Sequence, residues 1–563
     1  MKNVLLVALL LPAAAVAAPS RLSAVDAAAQ RIDGASLMRH IQILASDQFE
    51  GRAPGTEGER LTLAYLQQQF IALGLTPGNP DGSYLQKVPL ARVRSTPALS
   101  YRADGGAAVD LRFPDDFVAW SSQDGPALSI LSAPLVFVGY GVNAPEYRWD
   151  DYKGADVRGK MLLMLINDPP VPLPGDPAQP DPAMFDGAAM TYYGRWTYKY
   201  EMAARLGAAG ALIVHESAPA GYPYEVVRNT WGRENFSIKS DGGPPSFPAF
   251  PGWLQLDRAK QLFRSAGLDF DAMKQAALSR DFRPVPLGLT ASAAADNVWH
   301  QLDSYNVVAR IEGADPRLKD ETVVYSAHWD HFGVDTTLPG PRGGQIFHGA
   351  RDNASGVAAM LEVAKAYRAL PTPPKRSILF VLTTAEERGL LGAQYYARHP
   401  LYPLAKTLID INIDGLNMWG RTRDVEIAGY GKSDTDDIVV RQARLQGRVA
   451  RRHSHPEFGG FYRSDHFEFA KAGVPVVYLA AGSDFIDQPA GFGKEKMERF
   501  TAQDYHKVSD VVRPDWDSAG AVDDARLIFQ IGYDVANGAR YPQWKAGAEF
   551  KAVRDGMLSG ASQ

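Results

Sequence analysis

Between Val323 and Gly415 the chain alternates short apolar runs with ionisable residues placed where the runs end. Val323-Val324-Tyr325-Ser326-Ala327 empties into His328-Trp329-Asp330-His331. A Gly/Pro loop then leads to Gly349-Ala350-Arg351-Asp352-Asn353-Ala354-Ser355-Gly356, which opens an apolar stripe of Val357, Met360, Leu361, Ala364 and Tyr367 at helical spacing. Residues 377–384 form a second strand-like run that stops at Ala385-Glu386-Glu387, and residues 408–415 form a third, carrying Asp414. Ionisable groups just past the carboxyl ends of successive strands predict an open, parallel α/β sheet that holds its ligands along that edge.

Composition narrows the chemistry further. With 563 residues the chain has room for two or three domains with ample cores. A net charge of −5 offers no basic footprint, which argues against a nucleic-acid partner. There are no cysteines, so disulfides, thiolate catalysis and Cys-ligated zinc are excluded, and histidines and carboxylates are the remaining strong metal ligands. Residues 1–17 have a single Lys2, an apolar run over 4–11 and small residues at Ala15 and Ala17, the pattern of a secretory signal cut after Ala17. That predicts export to the periplasm or the medium. The apolar run is shorter than the roughly 20 residues a membrane span needs, and no later segment is apolar enough. No stable membrane insertion is expected.

In chain order, residues 18–95 read as a mainly helical part, with stripes at Leu37, Ile41 and Leu44 and over 61–73, separated by the Gly/Pro loop Phe49-Glu50-Gly51-Arg52-Ala53-Pro54-Gly55-Thr56. Residues 96–295 change character. Short strand-like runs (135–140, 161–166, 211–214) alternate with proline-rich loops around one helix at 198–206, predicting a separate β-rich insert whose strands do not continue the later sheet. Gly154-Ala155-Asp156-Val157-Arg158-Gly159-Lys160 imitates a phosphate loop, but Met161 replaces the Ser/Thr and the stretch precedes a strand, so it reads as a turn. The α/β pattern occupies 296–545, with a last helix near 517–536, and 546–563 is a tail.

Eight of the eleven histidines fall between His328 and His506, in the half that carries the acids. Amide hydrolysis at neutral pH needs a nucleophilic hydroxide and a stabilised oxyanion, which two metal ions about 3.5–4 Å apart supply. Such a pair needs a bridging carboxylate, a His and a further carboxylate for each ion, and a free carboxylate to move the proton. The chain offers Asp352, Glu387 and Asp414 as acids, His328 and His506 as imidazoles, and Glu386 as a spare base. Asp330, two residues after His328, is placed to accept that ring's second N–H. His331, His348, His453 and His455 read as loop residues.

Ala327-His328-Trp329-Asp330-His331, the 349–356 loop, Ala385-Glu386-Glu387-Arg388-Gly389, Asn412-Ile413-Asp414 and Tyr505-His506-Lys507 together resemble the signature of the M28 family of di-zinc exopeptidases. The resemblance implies a zinc-exopeptidase fold of the phosphorylase/hydrolase-like kind: α/β, with a mixed, mostly parallel sheet and helices on both faces. It also implies two Zn2+ ions bridged by Asp352. Glu387 and His506 would complete one ion and His328 and Asp414 the other, with Glu386 as general base then acid and Asp330 orienting His328. The insert resembles a protease-associated (PA) domain. Arg351 stands where many relatives carry a second acid. The loop from Phe458 to His466 resembles the family's substrate-side Ser-Asp-His loop, which makes Tyr462, Ser464 and Asp465 candidate substrate-binding residues, with Tyr462 as an oxyanion donor. The implied activity is aminopeptidase action on peptides. A carboxypeptidase with Arg463 or another arginine clamping a terminal carboxylate, a glutaminyl cyclase-like acyltransferase and a non-enzymatic binding module are the alternatives.

Overall fold

The computed structural model describes residues 23–123, 125–239 and 246–560; the signal-like residues 1–17 lie outside them. The three acid-bearing runs are adjacent strands. Thr322–His328 pairs in parallel with Ser377–Thr383 on one side and with Thr407–Asn412 on the other, and Thr407–Asn412 pairs in parallel with Val476–Ala480. Beyond that edge Asp424–Ile427 runs antiparallel to Val476–Ala480 and carries Val449–Arg452 in parallel. The sheet is thus mixed and mostly parallel, as expected.

Strand side chains alternate between two cores, which is why these runs read as continuously apolar. Val323, Tyr325, Ala327, Ile378, Phe380 and Leu382 pack with helices Gly34–Leu44, Ser355–Arg368 and Ala519–Asn537. Val324, Leu379 and Val381 pack on the opposite face with helices Leu391–Arg398 and His466–Lys471. A parallel strand covered on both faces has no polar side to show. Helix ends follow local chemistry: the Asp33 carboxylate accepts from the Ala35 and Ser36 amides, and the Thr56 hydroxyl caps Glu57–Ala72 through the Glu59 amide.

The expectation that the insert's strands stand apart from the later sheet does not hold. Leu85–Ala103 and Val285–Ile311 form one antiparallel ribbon, in register from Leu85 opposite Val307 to Ala103 opposite Leu289. Val285–Ile311 then pairs with Ser377–Thr383 through its last residues and with Ala127–Phe137 through its first, so a single hydrogen-bonded ladder crosses both halves. The expected boundaries at 95/96 and 295/296 fall inside this ribbon. The insert keeps its own core around the parallel strands Met161–Leu165, Gly210–His215 and Phe250–Gln255. The phosphate-loop look-alike is an irregular turn leading into Met161–Leu165.

Candidate metal centre and substrate cavity

His328 is the last residue of its strand, Glu386 and Glu387 follow Thr383 by three and four residues, and Asp414 follows Asn412 by two. Sheet order therefore delivers them to one rim, and the 349–356 loop brings Asp352 in from the side. That loop turns at Gly349, whose φ is +55° and where an added Cβ would stand 2.3 Å from the Asp352 carbonyl oxygen, so only glycine fits. Asn353 laces the loop to the Asp414 segment: its Nδ2 donates to the Ile413 carbonyl, and its Oδ1 accepts from the Gly356 and Gly415 amides. The Asp352–Asn353 peptide is cis.

The centre is built around Asp352. Its Oδ1 is 3.2 Å from His328 Nε2 and its Oδ2 is 3.4 Å from His506 Nε2. His506 Nε2 is 3.2 Å from Glu387 Oε2, and His328 Nε2 is 3.4 Å from Asp414 Oδ1 and 3.9 Å from Glu386 Oε2. Donor atoms of His328, Asp352 and Glu387 lie mutually within 4.8 Å, as do those of His328, Glu386 and Asp414. All six expected residues, the five ligand candidates and Glu386, converge.

Charge in this cluster is out of balance. Burial and the neighbouring charges of Glu387, Asp414 and Asp465 outweigh the attraction of His328 and push the Glu386 carboxyl well above the usual range. Burial, with the Asp352 charge, brings Glu387 up to about 8. Burial opposes ionisation of Asp352 too, but hydrogen bonds to His328 and His506 hold it well below the carboxylate range. A divalent cation would relieve this crowding and keep the acids ionised. The donor set, imidazoles and carboxylates without sulfur, fits zinc.

Asp330 departs from expectation in detail. His328 Nδ1 has the main-chain carbonyl of Asp330 as its partner at 3.1 Å, with the Asp330 carboxylate 3.8 Å away. That carboxylate instead accepts from the Glu386 amide at 3.0 Å. Tyr462 also differs from expectation. Its hydroxyl donates to Glu549 at 2.5 Å, which turns it away from an oxyanion-donor role. Ser464 accepts from Asn412 Nδ2 at 2.7 Å, and Asp465 accepts from the Thr383 hydroxyl at 2.5 Å, so both are held from beneath the centre. Tyr462 and Ser464 line the cavity described below, whereas Asp465 is buried behind it.

Several residues that the sequence did not single out support the site. His331, read as a loop residue, is buried with Nδ1 paired to Glu387 Oε1. The Asp510 carboxylate accepts from the amides of Arg351 and Asp352, each at 3.0 Å, and so fixes the main chain of the central acid. Buried Arg52 donates to the carbonyls of Leu44, Trp329, His348 and Gly349, tying together the loops that carry His328 and Asp352. Tyr505 lies against His506 with ring centroids 3.7 Å apart. His331 ends the first quoted motif and Asp510 follows Lys507 by three residues, which is the signal they carry. Arg52 has none beyond its Gly/Pro loop.

The centre opens into a cavity of about 820 Å³ between the two halves of the molecule. Asp352, Glu386, Glu387, Asp414 and His506 line it together with Arg195, Tyr222, Trp231, Phe247 and Trp253 of the insert.

The profile of peptidase family M28 matches residues 306–529, the segment that supplies all six converging residues. The chain is 35% identical over 292 residues to the alkaline phosphatase isozyme conversion protein of Escherichia coli (strain K12), covering 50% of this chain and 78% of that protein. It is 30% identical over 187 residues to leupeptin-inactivating enzyme 1 of Streptomyces exfoliatus, covering 33% of this chain and 38% of that protein. Among solved structures, an aminopeptidase from Aneurinibacillus sp. strain AM-1 shares the fold with a TM-score of 0.50 at 18% identity, over 92% of this chain and 97% of that one. On this evidence the chain belongs to peptidase family M28 and is a zinc metallopeptidase.

Proposed function

We propose that this peptidase is an exported exopeptidase that releases N-terminal residues from peptides at a pair of zinc ions. Asp352 would serve both ions, Glu387 and His506 would help hold one and His328 and Asp414 the other, and Glu386 would move the proton. The observation that carries this reading is the disposition of Asp352, with one oxygen toward His328 and the other toward His506. A carboxylate addressing two imidazoles suits a bridge between closely spaced cations.

Bound zinc supplies a positive field that lowers the pKa of nearby water toward about 7 and polarises the scissile carbonyl. The chain's own groups do the rest. Glu386 accepts a proton from the attacking water and returns it to the leaving amine nitrogen. Asp330 holds the Glu386 main chain, His331 orients Glu387, and Asp510 fixes Asp352. Residues of the PA-like insert share the lining of the cavity and would limit how much of a peptide can enter. The signal-like residues 1–17 support export, and no helix among the described residues is long and apolar enough to cross a membrane.

Specificity for the N-terminus is supported by the aminopeptidase of like fold. Incubation with one peptide acetylated at its N-terminus and another amidated at its C-terminus tests it. The amidated peptide is expected to shorten from its N-terminus while the acetylated one resists. Cleavage of the acetylated peptide alone would assign carboxypeptidase action instead.

A further inference from the structure

The residues lining the cavity include hydrogen-bond donors that the protein leaves unused. Arg195, only 8% exposed, makes no side-chain hydrogen bond or ion pair among the described residues, and its Nε is buried without a partner. Arg463 donates one Nη2–H to the Ala220 carbonyl at 3.1 Å, and its Nε is likewise buried without a partner. Thr197 Oγ1 and Trp253 Nε1 are in the same state, and all four residues line the cavity. Other cations nearby have partners: Lys471 pairs with Glu201 and Glu468, Lys199 donates to three carbonyls, and Arg388, whose Nε is also unpartnered, donates to the Glu234 carbonyl and lies beside Glu387. Two guanidinium groups, close enough that the charge of Arg463 helps burial bring Arg195 down to about 10, are costly to leave unneutralised in a recess. Tyr505 also lines the cavity, under the fields of Asp352 and Glu387 and of Arg463.

We propose that Arg195 and Arg463, with Thr197 and Trp253, form a carboxylate-binding subsite in the substrate cavity, so that the enzyme selects peptides presenting a carboxylate beyond the scissile bond. Paired guanidinium donors match a carboxylate in charge and geometry. That carboxylate is the C-terminus of a short peptide or an acidic side chain. The inference rests on peptide cleavage at the Asp352 centre.

Steady-state kinetics of the zinc-loaded full-length enzyme on matched pairs tests it. Leu-Gly-Gly against Leu-Gly-Gly-amide isolates the C-terminal carboxylate, and Leu-Glu-amide against Leu-Gln-amide isolates the side chain. The carboxylate member of at least one pair is expected to have kcat/KM about 10-fold or more higher, the scale of one charge-assisted hydrogen bond. Arg195→Met and Arg463→Met should each bring that ratio toward unity, and Arg463→Lys should retain part of it. Equal kcat/KM within both pairs for the unaltered enzyme overturns the subsite whatever the variants do, as does a ratio unchanged in both Met variants. No metal-dependent cleavage of any of the four peptides would remove the underlying peptidase reading as well.

Discussion

Glu386 sits 3.9 Å from His328 Nε2, the longest of the close contacts in the cluster, whereas Glu387 stands against both His506 and His331. Neighbouring carboxylates thus have separate surroundings: one is held between imidazoles and the other is left facing the cavity. Glu386→Gln is expected to keep its metal and lose at least about 10²-fold in kcat, the lower end for removing a general base. Metal analysis alongside turnover checks this, and near-normal turnover would refute the role. Asp510 acts through main-chain amides only. Asp510→Asn puts an amide N–H against one of the two donors it now satisfies, and zinc affinity measured by chelator competition should fall about 10- to 100-fold, as for other groups behind a metal ligand. The six converging residues were legible because each lies within four residues of a strand end or inside a quoted motif. His331 was not, because one more histidine in His-Trp-Asp-His looks the same whether it faces solvent or Glu387.

At the scale of elements, precision comes from loops tied to one another. Arg52 spans the loops after Leu44, His328 and Phe347 through four carbonyls, and Asn353 and Ser355 bind the 349–356 loop to residues 413–416. A buried guanidinium bonded to four carbonyls is costly to remove, since the carbonyls are left unpaired. Arg52→Met is expected to destabilise the protein by about 3 kcal/mol or more, read by denaturant unfolding; a change below about 1 kcal/mol would show that the carbonyls find other partners. The parallel strands were readable from continuous apolar runs. The ribbon of Leu85–Ala103 and Val285–Ile311 was not, since alternating burial along 19 and 27 residues resembles several short strands and says nothing of which half they join.

On the scale of the whole molecule, two cores share one ladder, and residues of both halves line one cavity. Stability in the insert is tied to pH through His215, which is buried among Tyr222, Tyr224 and Trp253. Burial lowers its pKa from 6.5 to about 4, against the pull of Glu225. Between those values the unfolded chain binds a proton that the folded one refuses, so stability present above pH 6.5 is lost as the pH falls toward 4. Against His215→Phe, the unaltered protein should lose Tm faster from pH 7 to pH 4; parallel Tm profiles would contradict this. Chelation should abolish peptide cleavage and added zinc restore it. The most direct measurement is an anomalous-scattering map at the zinc edge from crystals of the zinc-loaded protein. Two peaks are expected flanking the Asp352 carboxylate, one beside His328 and Asp414 and the other beside Glu387 and His506. A single peak, or peaks remote from Asp352, would contradict that arrangement.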